Sequence, residues 1–573
     1  MLTALEVAEE TVARSSERRY WAIKHHTESH GRRLDFHNRQ YLIDIYDDDA
    51  QRIAIQKSVQ CGISEAMILR ALHATAQGIS TMYVLPTDEG KNRFVGNRVD
   101  KQILRSPFYQ ALLAQGGGDD SKGIKQFGAG MINFVGSNSP AKFTEVPIDF
   151  LIIDEVNFCE PTNLGLAEER LRGSDLKLQA WCSRPTAAGL GIAEIYNRSD
   201  RKHWHLRCHA CGLRQPLDWF ANVILRTGEF AYHVLDPTGL DEGRGVVCRA
   251  CHAPLDNLGP GEWVPETPGA DISGYHISML FSPTNTPKEL LVKYDRGLRN
   301  ATEMEEFHNG CLGEDYTSAE SKVTPELLDA CRSGEGWPSR VYGCTMGVDV
   351  GKILHVRISF RHEGRRVAAW IGTVENPLEL DRLMAEYDVA CCVIDAAPEL
   401  HLARSFAAKH PGRVWLCQYP SAGTIREIQL DHAEMILKVD RTMSLDATFA
   451  ELRSGRNILP ANARDLDGGE FYEQMQASVR VHNALKNRYD WVEGSRSDHH
   501  RHADNYDWLA TQIVGAGGFG HPPKPKGLPS FQPLQDRQTK KSPSGSWGRR
   551  GIAGKTRREI FQPGQGIWKT EAR

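Results

Sequence analysis

No run of about 18 or more apolar residues occurs in this chain of 573 residues, so a membrane-spanning helix is not expected. The segment from Met1 to Arg19 lacks the apolar stretch of a secretory leader and carries Glu6, Glu9, Glu10 and Arg14 instead. An even cysteine complement is also missing. There are 13 cysteines, of which only four stand in C-x-x-C pairs, while Cys61, Cys159, Cys182, Cys311 and others are scattered. That argues against a disulfide framework and fits a reducing cytoplasm with one metal site. Internal repeats are absent, which excludes a solenoid. A strong excess of one charge is lacking too: the net charge is −4, which speaks against a simple DNA-coating protein.

What is present is an ordinary globular composition, 40% hydrophobic and 25% charged, in a chain long enough for two or three cores. The charge is unevenly placed. From His521 to Arg573 there are 12 Lys and Arg against 3 Asp and Glu, a balance of +9 that leaves −13 on the other 520 residues. A basic tail therefore follows an acidic body.

Patterning divides the chain. Residues 1–45 read as a helical lead-in. Over 46–200, β-rich runs at Arg52–Ser58, Ser80–Pro86, Met131–Val135, Phe150–Asp154 and Leu178–Ser183 alternate with helix-like stretches, the mark of a parallel α/β domain. Residues 201–275 form an insert rich in Trp, His, Gly and paired cysteines. Residues 276–340 read as a connection, 341–515 as a second α/β domain, and 516–573, entered through the Gly/Pro linker Gly515–Gly527, as a basic disordered tail.

The first domain has the parts of an ATP site. A phosphate loop needs a strand end, a turn of inward N–H groups, a helix N-terminus, a lysine for the phosphates and a hydroxyl for Mg²⁺. Lys57, Gly62 and Ser64 supply these after the run Arg52–Ser58, although the lysine comes early and only one glycine is present. Taken alone, an ordinary strand-turn-helix would fit as well. The run Asp149–Glu155 is more informative: an apolar strand ending in two carboxylates. Asp154 would hold Mg²⁺ and Glu155 would act as general base on the attacking water. Tyr83-Val84-Leu85-Pro86-Thr87 fits a second strand of a helicase-like core. Ser183-Arg184-Pro185-Thr186 stands where a coupling motif senses the nucleotide.

Cys208, Cys211, Cys248 and Cys251 form two C-x-x-C pairs separated by 36 residues, and Gly212 provides the tight turn after the first. Two such knuckles predict a tetrahedral thiolate site for Zn²⁺, structural because protein fills every position. His209 and His252 are alternative ligands.

In the last α/β domain, Thr345–Gly351 reads as a strand ending in Asp349. Two meander strands follow at His355–Arg361 and Arg366–Gly372, then a helix near Pro377–Tyr387. Val389–Asp395 is a buried strand ending in Asp395, Arg413–Tyr419 a further strand, and Asp498–Ala510 opens a final helix. This order is that of a ribonuclease-H-like fold, which sets the first and fourth strands side by side and so makes Asp349 and Asp395 neighbours. Asp504 is expected to reach them from the final helix, because Ala503, Leu509 and Ala510 place the apolar face around it; Asp498, His500, His502 and Asp507 compete for that role. Three convergent carboxylates imply divalent metal, with two Mg²⁺ or Mn²⁺ ions about 4 Å apart serving attack and departure.

The early-lysine loop, L-P-T, the DE pair, the C-x-x-C pairs, the G-x-D strand and the late A-D helix together resemble the large subunit of tailed-phage terminases. They are most like the lambda-like (GpA) family, which carries a cysteine-rich insert between ATPase and nuclease. The likeness spans roughly residues 35–515. It implies a P-loop (ASCE, helicase-like) ATPase with Lys57, Ser58, Gly62, Ser64 and Asp154 on ATP and Glu155 as catalyst. It also implies a nuclease with Asp349, Asp395 and Asp504 as catalytic and metal-binding residues. The implied activity is cutting of concatemeric viral DNA and its ATP-driven packaging. The implied partners are double-stranded DNA, a small terminase subunit, the portal of a procapsid and further copies of the chain on that portal. The setting would be the cytoplasm of an infected bacterium, outside the mature virion and away from membranes. Where many relatives carry an arginine in the loop this sequence has Gln60, which leaves Arg52, Arg70 or an arginine of a neighbouring subunit to stabilise the transferred phosphoryl. A cellular helicase-nuclease of DNA repair would share the ATPase, but residues 275–340 show no second ATPase-like lobe. A zinc-containing capsid or DNA-binding scaffold would require both acidic clusters to be accidental.

Overall fold

The computed structural model describes residues 18–515 except 28–30, 116–119, 145, 229–230, 335, 339–340, 342, 421–424, 426, 484–487 and 495. Beyond 515 it describes only 558–562 and 567–571. The chain divides into two compact units, Met1–Glu320 and Ser321–Arg573. Among the described residues no helix is long and apolar enough to cross a membrane.

Unit 1 is built on strands β1 (Arg52–Lys57), β2 (Thr81–Leu85), β3 (Ile124–Phe127), β4 (Gly130–Gly136), β5 (Phe150–Asp154), β6 (Leu178–Ser183), β7 (Lys202–Arg207), β8 (Arg214–Pro216), β9 (Ile224–Arg226), β10 (Tyr232–Val234), β11 (Gly261–Pro265) and β12 (Ser273–Ile277). The main sheet runs β11-β7-β12-β1-β6-β5-β2-β4-β3, with β8 on β7, and β9 and β10 form a separate hairpin. From β7 to β4 every pairing is parallel. The centre of the sheet is covered on both faces, so β2 and β5 are buried along their whole length and β1 everywhere after Arg52, which explains their continuous apolar sequence. With β1 flanked by β12 and β6, and β5 next to β6, the order is that of a P-loop ATPase of the ASCE kind, as expected. The cysteine-bearing segment is threaded into this sheet: β7 and β12 pair in parallel, and β12 lies directly on β1. The helices Pro287–Gly297 and Ala301–Glu306 belong to the same unit.

Unit 2 carries β13 (Thr345–Val350), β14 (Leu354–His362), β15 (Arg365–Val374), β16 (Cys391–Asp395), β17 (Val414–Gln418), β18 (Ile428–Asp431), β19 (Ile436–Lys438), β20 (Asn457–Ile458), the hairpin β21 (Ser478–Asn483) and β22 (Arg488–Glu493), and β23 (Arg558–Gln562) with β24 (Ile567–Glu571). Its main sheet runs β20-β15-β14-β13-β16-β17-β19-β18-β23-β24. The three-stranded antiparallel meander β13–β15, followed by parallel β16 and β17 on the other side of β13, is the ribonuclease-H-like core. The final helix, His499–Gly515, crosses β13 at Gly347. A Cβ there would stand 2.1 Å from the Asp507 nitrogen and 2.2 Å from the Ala503 oxygen, so only glycine permits the approach. Of the segment read as a disordered tail, residues 516–557, 563–566 and 572–573 lie outside the described residues. β23 and β24 form an antiparallel hairpin that extends the sheet from β18.

Candidate functional site

In unit 1, the parallel order brings the carboxyl ends of β1, β6 and β5 to one edge. Lys57 ends β1 and is 5% exposed; its Nζ donates to Glu155 Oε1 at 2.8 Å. Burial alone would depress the lysine, but Glu155 and Asp154 hold it well above its ordinary value. Beyond Lys57 the chain turns through Gln60 and Gly62, both at positive φ (59° and 89°), before the helix Ile63–Ala76 begins. At Gly62, where the backbone is left-handed, the lone glycine of the loop is needed. Ser64 lies in the first turn of that helix. Ser58 is wholly buried, and its N–H donates to Ile277 O at 2.7 Å.

Asp154 and Glu155 are adjacent but differently placed. Asp154 is 1% exposed and accepts from Tyr83 Oη at 2.9 Å and from Cys182 Sγ at 3.1 Å. Burial and the neighbouring Glu155 push its carboxyl up. Glu155 adopts φ 59°, ψ 50°, which turns its side chain out of the strand toward Lys57 and Ser183 Oγ, the latter at 3.2 Å. Burial opposes its charge, but Lys57 and then Arg184 hold it below the usual carboxylate range. Neither arginine considered from the sequence faces this edge. Arg52 starts β1 at the far end of the strand and bonds Gln179, while Arg70 is buried on the carbonyls of Ile45 and Asp48. The arginine whose charge acts on Glu155 is Arg184, held over the Phe158 ring at 5.1 Å and paired with Glu306. Its position immediately after β6 was the available sequence signal.

The four knuckle cysteines converge. Cys208 Sγ lies 3.7 Å from Cys251 Sγ, Cys211 Sγ lies 3.7 Å from Cys248 Sγ, and all four sulfurs fall within 4.8 Å of one another. Thiolates about 2.3 Å from one tetrahedral ion stand about 3.8 Å apart. Burial pushes the Cys248 thiol up, but the N–H groups of Cys251 and Ala250 and the Gln215 amide bring it down to about 6. The donor set therefore fits Zn²⁺, and His209 and His252 stand outside the cluster.

In unit 2, Val348 pairs with Ile394, which sets Asp349 beside Asp395 at the ends of adjacent parallel strands. Asp349 is 6% exposed, and His499 Nδ1 lies 2.8 Å from its Oδ2. Asp395 accepts the Ala397 N–H at 3.1 Å; burial, and then the like charge of Asp349, push its carboxyl up. A divalent cation between the two would remove that repulsion, so the pair fits a metal site. A cleft of about 680 Å³ opens beside Asp395, lined by Leu400, Tyr419, Gln429 and Lys438 among others.

The expected third acid is not brought to this pair. Asp504 is 0% exposed and is held by Arg357 and Arg366, each at 2.8 Å, with Arg501 at 3.4 Å and the Asn457 amide at 3.2 Å. Asp507 belongs to the same buried network, accepting from Thr345 Oγ1, Ser359 Oγ and Arg366. The reason is helical phase. At about 100° per residue, Asp498, His499 and His502 fall on one face, and Asp504 lies about 200° round from His502. Asp498, 4% exposed beside His502 and Arg441, shares the face of His499, the residue that meets Asp349.

Residues 39–258 match the family model described as phage terminase large subunit gpA, ATPase domain. Among solved structures, the large terminase of HK97 bacteriophage is similar at 10% identity and a TM-score of 0.50, covering 86% of this chain and 99% of that one. The large terminase of the thermophilic bacteriophage D6E aligns at 12% identity over 81% of this chain and 94% of that one, with a TM-score of 0.26. No curated protein matches the sequence. The HK97 likeness, at its identity, is one of fold.

Proposed function

We propose that this chain is a phage terminase large subunit of the gpA kind, which packages viral double-stranded DNA with ATP and cuts that DNA in its second unit, a reading supported by the family match over residues 39–258 and by the fold. The observation that carries the reading is that each unit ends its central strands on an acidic centre. In unit 1, Lys57 and Glu155 stand 2.8 Å apart at the phosphate-loop edge; in unit 2, Asp349 and Asp395 end adjacent strands.

Lys57 is pre-charged and buried against Glu155. When ATP enters, the ammonium turns to the phosphates, and Glu155 is released to orient water and accept its proton. Ser58, Gly62 and Ser64 shape the phosphate cradle. Asp154, fixed by Tyr83 and Cys182, is the acid that would hold Mg²⁺, which supplies charge neutralisation at the phosphates. Arg184 lies where a change at Glu155 reaches Glu306, and so links hydrolysis to the rest of unit 1. In unit 2, Asp349, Asp395 and Asp498 would hold Mg²⁺ or Mn²⁺, and a pair of such ions supplies an activated water and stabilises the leaving oxygen. Zn²⁺ on the four knuckle cysteines is structural.

A motor of this kind acts with double-stranded DNA, a small terminase subunit and the portal of a procapsid, as a ring of copies in the cytoplasm of the host cell. The basic tail, +9 beyond His521, supplies electrostatic contact with DNA or portal. ATPase and nuclease assays on the purified full chain, with and without EDTA, test the reading: both activities should need divalent metal, and DNA cutting that persists in EDTA would overturn the nuclease half.

A further inference from the structure

Beside the carboxylate pair, unit 2 gathers three histidines that the reading above does not use as ligands. His355 comes from β14, and His499 and His500 open the final helix. The His355 ring stacks on His499 (centroids 4.8 Å, 22°) and meets His500 edge-on (4.8 Å, 89°). On the far side of His500 stands Asp467, in the turn before the helix Glu470–Gln476. One ligand atom each from His355, His500 and Asp467 lie within 4.8 Å of one another.

Two features distinguish this group from an ordinary polar cluster. First, both rings are buried, His355 at 7% and His500 at 1% exposure, and each keeps a buried Nδ1 with no hydrogen-bond partner. Buried imidazole nitrogens are normally satisfied; His500 turns its other nitrogen, Nε2, to Asp467, so the orphan that needs a further partner here is the His355 Nδ1. Second, His500 Nε2 lies 3.1 Å from Asp467 Oδ2. Nitrogen and oxygen ligands about 2.0–2.1 Å from one ion, at 90–110°, stand about 2.9–3.4 Å apart.

We propose that His355, His500 and Asp467 form a separate metal site for a first-row transition dication such as Zn²⁺. Two imidazoles and one carboxylate suit such an ion, whereas Mg²⁺ prefers oxygen donors. The ion ties β14, the start of the final helix and the turn at Asp467 into one assembly. Through the stacked His355–His499 pair it fixes the imidazole that meets Asp349. It is thus a positioning site for the nuclease centre and is distinct from the Asp349–Asp395 pair.

The test is metal content of the full chain, equilibrated with micromolar Zn²⁺, desalted and measured by elemental analysis. About two ions per chain are expected, one on the four thiolates and one here. Asp467→Asn is the primary variant: Asp467 sits at φ 53°, which Asn also adopts, and its side chain is 29% exposed, so the fold should survive. It should lower affinity for the second ion at least tenfold, and His500→Gln should do the same, while Asp395→Asn keeps both ions. In Co²⁺-grown protein, Asp467→Asn should lose the weak visible bands of the nitrogen/oxygen site and keep the intense thiolate bands. The proposal is overturned by about one ion per chain in the unmodified protein, by a second ion unchanged in Asp467→Asn, or by a second ion that disappears with Asp395→Asn and not with Asp467→Asn.

Discussion

Replacing Asp504 separates two accounts of the final helix. If Asp504 held catalytic metal, Asp504→Asn would leave a folded protein that cannot cut DNA. The structure instead seals its carboxylate among Arg357, Arg366 and Arg501, with none of the four side chains more than 1% exposed. Burial opposes the carboxylate charge, but the three guanidinium groups hold its proton affinity below the ordinary range. Three arginines are balanced here by Asp504, Asp507 and Glu451. Removing one charge leaves an uncompensated buried guanidinium, which costs about 3–5 kcal/mol. For a unit of 150–250 residues that lowers Tm by on the order of 6–20 °C. The assay is calorimetry of the full chain, following the transition of unit 2, with cutting measured well below that transition. Asp504→Asn should melt early and retain metal-dependent cutting at low temperature. An unshifted transition together with abolished cutting would refute the argument and return Asp504 to the metal.

Asp349→Asn and Asp395→Asn should each lower cutting by more than about 10²-fold and keep ATP hydrolysis, and Asp498→Asn should resemble them; full cutting by the first two would mean the nuclease lies elsewhere. Glu155→Gln should bind nucleotide yet turn it over on the order of 10²–10⁴-fold more slowly, while Lys57→Ala should weaken binding as well, read by nucleotide titration and phosphate release. Cys248→Ser should reduce the thiolate-bound zinc below one ion per chain and destabilise unit 1; unchanged zinc would dissociate the knuckles from the metal. Deleting the chain beyond Gly527 should weaken procapsid or DNA binding more at low salt than at high, and unchanged packaging would make the tail dispensable.

The strands that hold Asp154, Asp349 and Asp395 were legible because a buried parallel strand must be apolar throughout and an acid at its end must face solvent or a ligand. The four cysteines were legible because a knuckle is local: three residues of spacing nearly fix the sulfur separation. The early-lysine loop was less so, since its chemistry depends on the pairing of Lys57 with Glu155, 98 residues away. The motif Ser183–Thr186 was legible but the action of the Arg184 charge was not, because nothing local shows that it stands beside Glu155.

Sequence by itself thus determined the order of the strands, the acids at their ends and the thiolate set, all of which follow from local periodicity and spacing. Only the tertiary structure decided which acids of the final helix work and which are sealed away. Asp498, Asp504 and Asp507 look alike along the chain, yet one lies against His502 and Arg441 and two face Arg357 and Arg366 on neighbouring strands. The rotation of a helix about its own axis is set by what it packs against, here the backbone of β13 at Gly347 and two buried arginines, and those partners lie about 140–160 residues away in the chain.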